Sequence, residues 1–234
     1  MMNRRSFLYS GGILLSTGKM IPSLLIAKDQ KVLPRVLLLG DSISIGYTPY
    51  VQEALGGIAD VQRPVYEDGK AENCEGTTKG VSELDRWLGT EKWDVIHFNF
   101  GLHDLKHINP ETGENSMNPK DPQQAPIRQY RKNLTEIVDK LKETGAHLIF
   151  ATTTPYPNPV DGPLRMPGEA QKYNKTALKV IEKNGIQVND LYNFVKPQME
   201  SLMIKKNVHF TEDGSKALAG EVVKVIKEIV LRNP

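Results

Sequence analysis

The stretch Val36-Leu37-Leu38-Leu39-Gly40-Asp41-Ser42 decides how the rest of the chain is read. A short apolar run closed by a Gly-Asp turn reads as a buried strand, the kind found in parallel sheets. Reactive groups in such sheets gather at the carboxyl ends of the strands, and Ser42 sits there. A serine hydroxyl attacks well only when a base takes its proton, and an imidazole can do so near neutral pH. The chain offers one far downstream, where His209-Phe210-Thr211 opens the last helical segment.

Working outward, further apolar runs predict strands over Arg35–Leu39, Val61–Val65, Trp93–Phe98, His147–Ala151 and Ile186–Val188. Amphipathic helices alternate with them. Ile127, Tyr130, Leu134, Ile137, Val138 and Leu141 fall on one helical face, and Leu218, Val222, Val225, Ile226 and Ile229 on another. Ala170, Tyr173, Ala177, Val180 and Ile181 fall on a third, and Gly145 and Gly185 follow two of these helices as C-terminal caps do. Helices are also expected from about Thr48 and from near Thr77. Strand–helix repetition predicts a parallel sheet with helices on both faces. The polar stretch Leu105–Pro126 and the proline-rich segment Thr152–Pro167 are long enough to wall a substrate cleft.

The first residues have a different character. Asn3-Arg4-Arg5-Ser6-Phe7-Leu8 resembles a twin-arginine motif, and Gly11 to Ala27 is mostly apolar. Residues 1–27 therefore read as an export signal or an uncleaved N-terminal anchor. The first implies a periplasmic or extracellular protein; either confines membrane contact to this segment. Residues 28–234 make one domain with 27 basic and 28 acidic side chains, since Arg4, Arg5 and Lys19 lie in the first segment. That balance does not point to nucleic acid. Cys74 is the only cysteine, so no internal disulfide forms, and a buried thiol is expected.

Four elements at successive strand ends carry chemistry. Gly40-Asp41-Ser42 supplies the hydroxyl. Asn73-Cys74-Glu75-Gly76-Thr77-Thr78 places a glycine before a helix, where its backbone N–H is free to hold an oxyanion. Asn99-Phe100-Gly101-Leu102-His103-Asp104 gathers polar side chains at the end of a buried strand, which is costly unless they are bonded or useful. His209-Phe210-Thr211-Glu212-Asp213-Gly214 brings the imidazole, with Thr211 as cap of the final helix. His97, His103, His107 and Asp104 also allow a metal reading. It is set aside because His97 lies within a strand and no second cluster completes the ligands. No cofactor is called for.

Taken together, the four elements resemble the SGNH hydrolase superfamily, the GDSL esterases and lipases, over essentially all of residues 33–234. The resemblance implies a flavodoxin-like three-layer α/β/α sandwich with a five-stranded parallel sheet. It implies Ser42 as nucleophile and His209 as base, with the N–H groups of Ser42 and Gly76 as oxyanion donors. Two positions depart from the family pattern. The third block normally reads Gly-x-Asn-Asp; here His103 stands at the asparagine and is taken as the donor, with Asn99 as fallback. The family's aspartate three residues before the histidine is replaced by Lys206, which accepts no hydrogen bond.

His209 is then expected to be oriented by a backbone carbonyl, giving a Ser–His pair. Asp190 and Asp213 are the candidate substitute acids, and Asp104 and Asn99 candidate supporting groups. The reading is an exported serine esterase hydrolysing a short acyl ester, such as an O-acetyl group on a carbohydrate, through an acyl-enzyme. The alternatives are a catalytically weak or inactive glycan-binding relative, favoured by Lys206, and an acyltransferase using the same residues.

Overall fold

The computed structural model describes residues 32–232; the segment 1–27 lies outside them. Five strands, β1 (Arg35–Leu39), β2 (Asp60–Gln62), β3 (Val95–Phe98), β4 (His147–Ala151) and β5 (Gln187–Asn189), form one parallel sheet in the order β2-β1-β3-β4-β5. The helices are α1 (Ser42–Ala54), α2 (Thr77–Leu88), α3 (Ile127–Glu143), α4 (Glu169–Lys183), α5 (Leu191–Val195), α6 (Met199–Leu202) and α7 (Glu212–Val230).

Side-chain alternation along β1 shows why helices cover both faces. Leu37 and Leu39 join the core under α2, α3 and α4, while Val36 and Leu38 join the core under α1, α5 and α7. Right-handed crossovers account for the split. The chain runs from β1 to its neighbour β2 through α1, then turns back past β1 to β3 through α2, which must take the opposite face. The strand order reverses its progress across the sheet between β1 and β3, where open parallel sheets leave a crevice at the carboxyl ends. This is the three-layer sandwich that the repetition predicted.

Four elements differ in their boundaries from expectation; β5 runs Gln187–Asn189, one residue later than Ile186–Val188. β2 ends at Gln62 rather than Val65, because Pro64 has no N–H for the ladder; Val65 instead bridges Ala71 in an antiparallel pair. β3 begins at Val95, although Trp93 is buried as anticipated. The largest difference is α1. It starts at Ser42, not near Thr48, because the Asp41 carboxylate accepts the Ile43 N–H at 3.0 Å and caps the helix. Ser, Ile, Gly and Pro49 give α1 a weak helical pattern, so tertiary burial of Tyr47 and Val51 holds it.

Candidate active site

Ser42 is the first residue of α1. The first amides of a helix have no intrahelical acceptor, and Asp41 takes only that of Ile43. The N–H of Ser42 has no acceptor among the described residues. α1 and α7 pack side by side on one face of the sheet, and both begin at the crevice end. Thr211 caps α7 by accepting the Gly214 N–H at 3.0 Å, as its position in the sequence implied. Just before that cap, Met203 and Phe210 form an antiparallel bridge and the Ile204 N–H donates to the His209 carbonyl at 3.0 Å. His209 thus rides on a short closed loop rather than a free strand of chain.

The two helices bring Ser42 Oγ to 2.8 Å from His209 Nε2. The other ring nitrogen, Nδ1, lies 2.8 Å from Asn207 Oδ1. The same Oδ1 accepts the backbone N–H of His209 at 3.0 Å. A backbone N–H can only donate, so the amide must present its oxygen here, and Nδ1 must then carry the ring proton. Nε2 is left with its lone pair facing the serine hydroxyl.

This corrects the orienting group. It is a side-chain amide two residues before the histidine, neither a backbone carbonyl nor an acid. Asp190 is spent elsewhere: it caps α5 through Asn193 and accepts from Thr152 Oγ1 at 3.1 Å. Asp213 is exposed in the first turn of α7. Lys206 is exposed as well, with a left-handed φ of 56° in the turn that Asn207 closes by donating to the Ile204 carbonyl at 3.0 Å.

The second and third elements are tied to the first by specific bonds. The Cys74 N–H donates to the Gly40 carbonyl at 3.2 Å, with its thiol buried and pushed up to about 11 by desolvation. Gly76 sits before α2 with its own N–H lacking an acceptor among the described residues. A Cβ there would stand 2.9 Å from the Asp104 carboxylate, so the position needs glycine for close approach. Asp104 accepts both the Thr77 N–H at 2.8 Å and the Thr77 hydroxyl, which pins the start of α2 to the third element. Burial pushes this carboxyl up to about 7 despite those bonds. Its role is to hold α2, not to orient His209.

Strand β3 ends at Phe98, so strand alternation does not extend to Asn99, Gly101 and His103. Gly101 takes φ 155° and packs against the Thr153 hydroxyl with no space for a side chain. Asn99 turns its amide onto the Ala151 carbonyl at 2.8 Å. Burial, with Lys106 and Arg165 nearby, pulls His103 down to about 3, so its ring is neutral. Its Nδ1 is buried with no partner, which leaves Nε2 as the nitrogen able to donate usefully.

Of the histidines in the metal reading, His97 packs in the core against Tyr47 with Nε2 3.2 Å from Asn189, and His107 Nδ1 faces the Asp121 carbonyl at 2.7 Å. Among the described residues no three His, Cys, Asp or Glu side chains converge.

Besides Asn207, two further residues were missed in the sequence. Arg63, just past β2, donates to the Glu72 carbonyl at 2.7 Å, Thr48 Oγ1 at 2.9 Å, Ser44 Oγ at 3.1 Å and the Gly40 carbonyl at 3.4 Å. It staples the serine turn to the Gly76 loop. A cation between buried Val61 and buried Pro64 was its only signal. Glu75, beside Gly76, holds a left-handed φ of 56° with its N–H on Asn73 Oδ1 at 2.9 Å; non-glycine strain of this kind clusters at functional loops.

Solved structures of similar architecture fit this picture. A lipase/acylhydrolase from Enterococcus faecalis superposes with a TM-score of 0.67 at 19% identity, covering 84% of this chain and 96% of its own. The acetyl xylan esterase AlAXEase gives 0.63 at 16% identity, covering 82% and 99%. An acetyl-xylooligosaccharide esterase from Geobacillus gives 0.62 at 15%, covering 82% and 94%. A comparison with curated protein sequences gave no match. The model of the GDSL-like lipase/acylhydrolase family matches residues 38–217, from within β1 into α7 and across all four elements, and the chain belongs to that family.

Proposed function

We propose that the chain is an exported serine esterase that removes short acyl groups, such as acetate on a carbohydrate, through an acyl-enzyme. The observation that carries this reading is the 2.8 Å approach of Ser42 Oγ to an imidazole whose proton is held on the far nitrogen by Asn207. Ser42 attacks the ester carbonyl as His209 Nε2 takes its proton. The N–H groups of Ser42 and Gly76, with His103 Nε2–H, hold the oxyanion. His209 then protonates the departing alcohol, and a water activated by the same imidazole releases the acid. Asn207 does the orienting that an aspartate would do, and it weakens the case for an inactive glycan-binding relative, which rested on Lys206.

Two of the structurally similar proteins are named as acetyl esterases of xylan or xylooligosaccharides, and we extend that substrate class to this chain. The test is fluorophosphonate labelling together with hydrolysis of 4-nitrophenyl acetate. Wild type should label and turn over, and Ser42→Ala should lose on the order of 10⁶ in kcat. Wild-type protein that neither labels nor hydrolyses would return the case to a binding protein. Acetate esters should outrun decanoate esters. Export rests on residues 1–27, and Arg4→Lys with Arg5→Lys should retain the precursor in the cytoplasm.

A further inference from the structure

Arg165 is a buried cation that the reaction above does not use. Only 7% of it is exposed, in the proline-rich segment after β4, at the same end of the sheet as Ser42 and His209. Its backbone strap is fixed: the His107 N–H donates to the Leu164 carbonyl at 2.9 Å, and the Leu164 N–H to the Ser116 carbonyl at 2.8 Å. The guanidinium itself is poorly served. Nε reaches the Leu102 carbonyl at 3.3 Å, one residue before His103, and one terminal nitrogen reaches the Pro163 carbonyl at 3.4 Å.

A desolvated guanidinium with five donors ordinarily has a carboxylate partner. Among the described residues none lies within ion-pair distance of Arg165. The acid whose charge reaches Arg165, Asp41, caps α1; those that reach Lys106 are engaged as well, Glu75 with Lys79 at 3.3 Å and Asp104 with Thr77. A second cation, Lys106, stands half-buried beside Arg165, also without an ion pair among the described residues, on the turn that follows His103. The charges of Arg165, Lys106 and Lys79 all reach the His103 ring. Lys79 is matched by Glu72 and Glu75, which leaves Arg165 and Lys106 as the cations near His103 without an ion pair among the described residues.

We infer that Arg165, flanked by Lys106, binds a carboxylate on the alcohol part of the substrate, so that the preferred ester sits on an acidic sugar such as a uronic acid. The acyl side is a poor place for that charge. The small, partly open recess behind the serine turn, lined by Asp41, Tyr47, Asn99 and Thr154, has about 10 Å³, room for a single water and no more. This inference rests on the esterase reading for the identity of the bond cleaved, but not for the binding itself.

The experiment compares methyl glucuronide with methyl glucoside as ligands by calorimetry, and their mono-O-acetyl forms as substrates. Wild type should bind the uronide at least tenfold tighter, and the ratio of the two kcat/KM values should favour the acidic ester by a similar factor. Arg165→Gln should collapse that ratio about tenfold, Arg165→Lys should keep part of it, and Lys106→Gln should reduce it less. Raising the salt to about 0.5 M, where the Debye length falls to roughly 4 Å, should narrow it too. Equal binding of uronide and glucoside by wild type overturns the inference. So does an Arg165→Gln protein that loses both substrates in proportion, which is the mark of a purely structural arginine. Absence of any turnover alongside selective uronide binding would fault the esterase reading and leave this one standing.

Discussion

At the scale of single residues, the site turns on how one amide replaces one carboxylate. Asn207 fixes the tautomer of His209 through a shared oxygen, but it carries no charge to stabilise the imidazolium that forms during attack. Asn207→Ala should therefore cost tenfold to a thousandfold, roughly, in kcat, with little change in KM. Asn207→Asp should raise kcat and move the acidic limb of the pH–rate profile upward, because a carboxylate favours the protonated ring. Lys206→Asp, on the exposed left-handed position, should leave the rate unchanged; a gain there would mean that residue 206 reaches the imidazole after all. His103 makes a parallel case. An asparagine supplies the same kind of N–H, so His103→Asn should keep most activity, whereas His103→Ala should lose on the order of 10². Equal losses in both would remove His103 from the oxyanion site.

At the scale of elements, each helix that presents a reactive group is held at its N-terminus by a short polar side chain. Asp41, Thr211 and, across the loops, Asp104 play this part for α1, α7 and α2. Thr211→Ala should destabilise by about 1 kcal/mol, typical of a lost N-cap, and loosen the His209 loop because Thr211 Oγ1 also donates to the Leu202 carbonyl at 3.1 Å. Asp104 gives a pH signature. Burial raises its folded value to about 7 against an ordinary 3.8, so the native state binds the proton more tightly than the unfolded chain. The stabilisation is complete at acidic pH and is lost as pH rises from about 4 to about 7. The urea-unfolding free energy of wild type minus that of Asp104→Asn should fall over that window. A flat difference would show that Thr77 holds the carboxylate ionised throughout.

At the scale of the whole molecule, the fold was legible because burial on both faces writes itself into sequence. Arg35–Leu39 and His147–Ala151 were read to the residue, and the helical faces of α3 and α7 match their buried sets apart from Ile127 and Val225, which are only partly buried. The pairing of Ser42 with His209 was legible only through the chemistry of a strand-end serine and a histidine at the entry to α7, and through the family resemblance that joins them, since they stand 167 positions apart. What escaped was local and polar. The start of α1 depends on a cap that outweighs a poor helical pattern, and Asn207 and Arg63 act through bonds that no periodicity records. The same division predicts how stability and activity separate. Ile226 is fully buried in the distal half of α7, in the core shared with α1, while the serine–histidine geometry is set by caps at the other end of both helices. Ile226→Ala removes a large aliphatic group and leaves a cavity, costing about 2–5 kcal/mol. For a domain of this size that is a fall in Tm of roughly 5–15 °C. Hydrolysis of 4-nitrophenyl acetate at 20 °C should stay within about twofold of wild type so long as the protein remains folded, because the cost is spread through packing and not aimed at the site. A large fall in kcat at a temperature where circular dichroism still reports native protein would show instead that the α1–α7 contact sets the approach of Ser42 to His209 along its whole length.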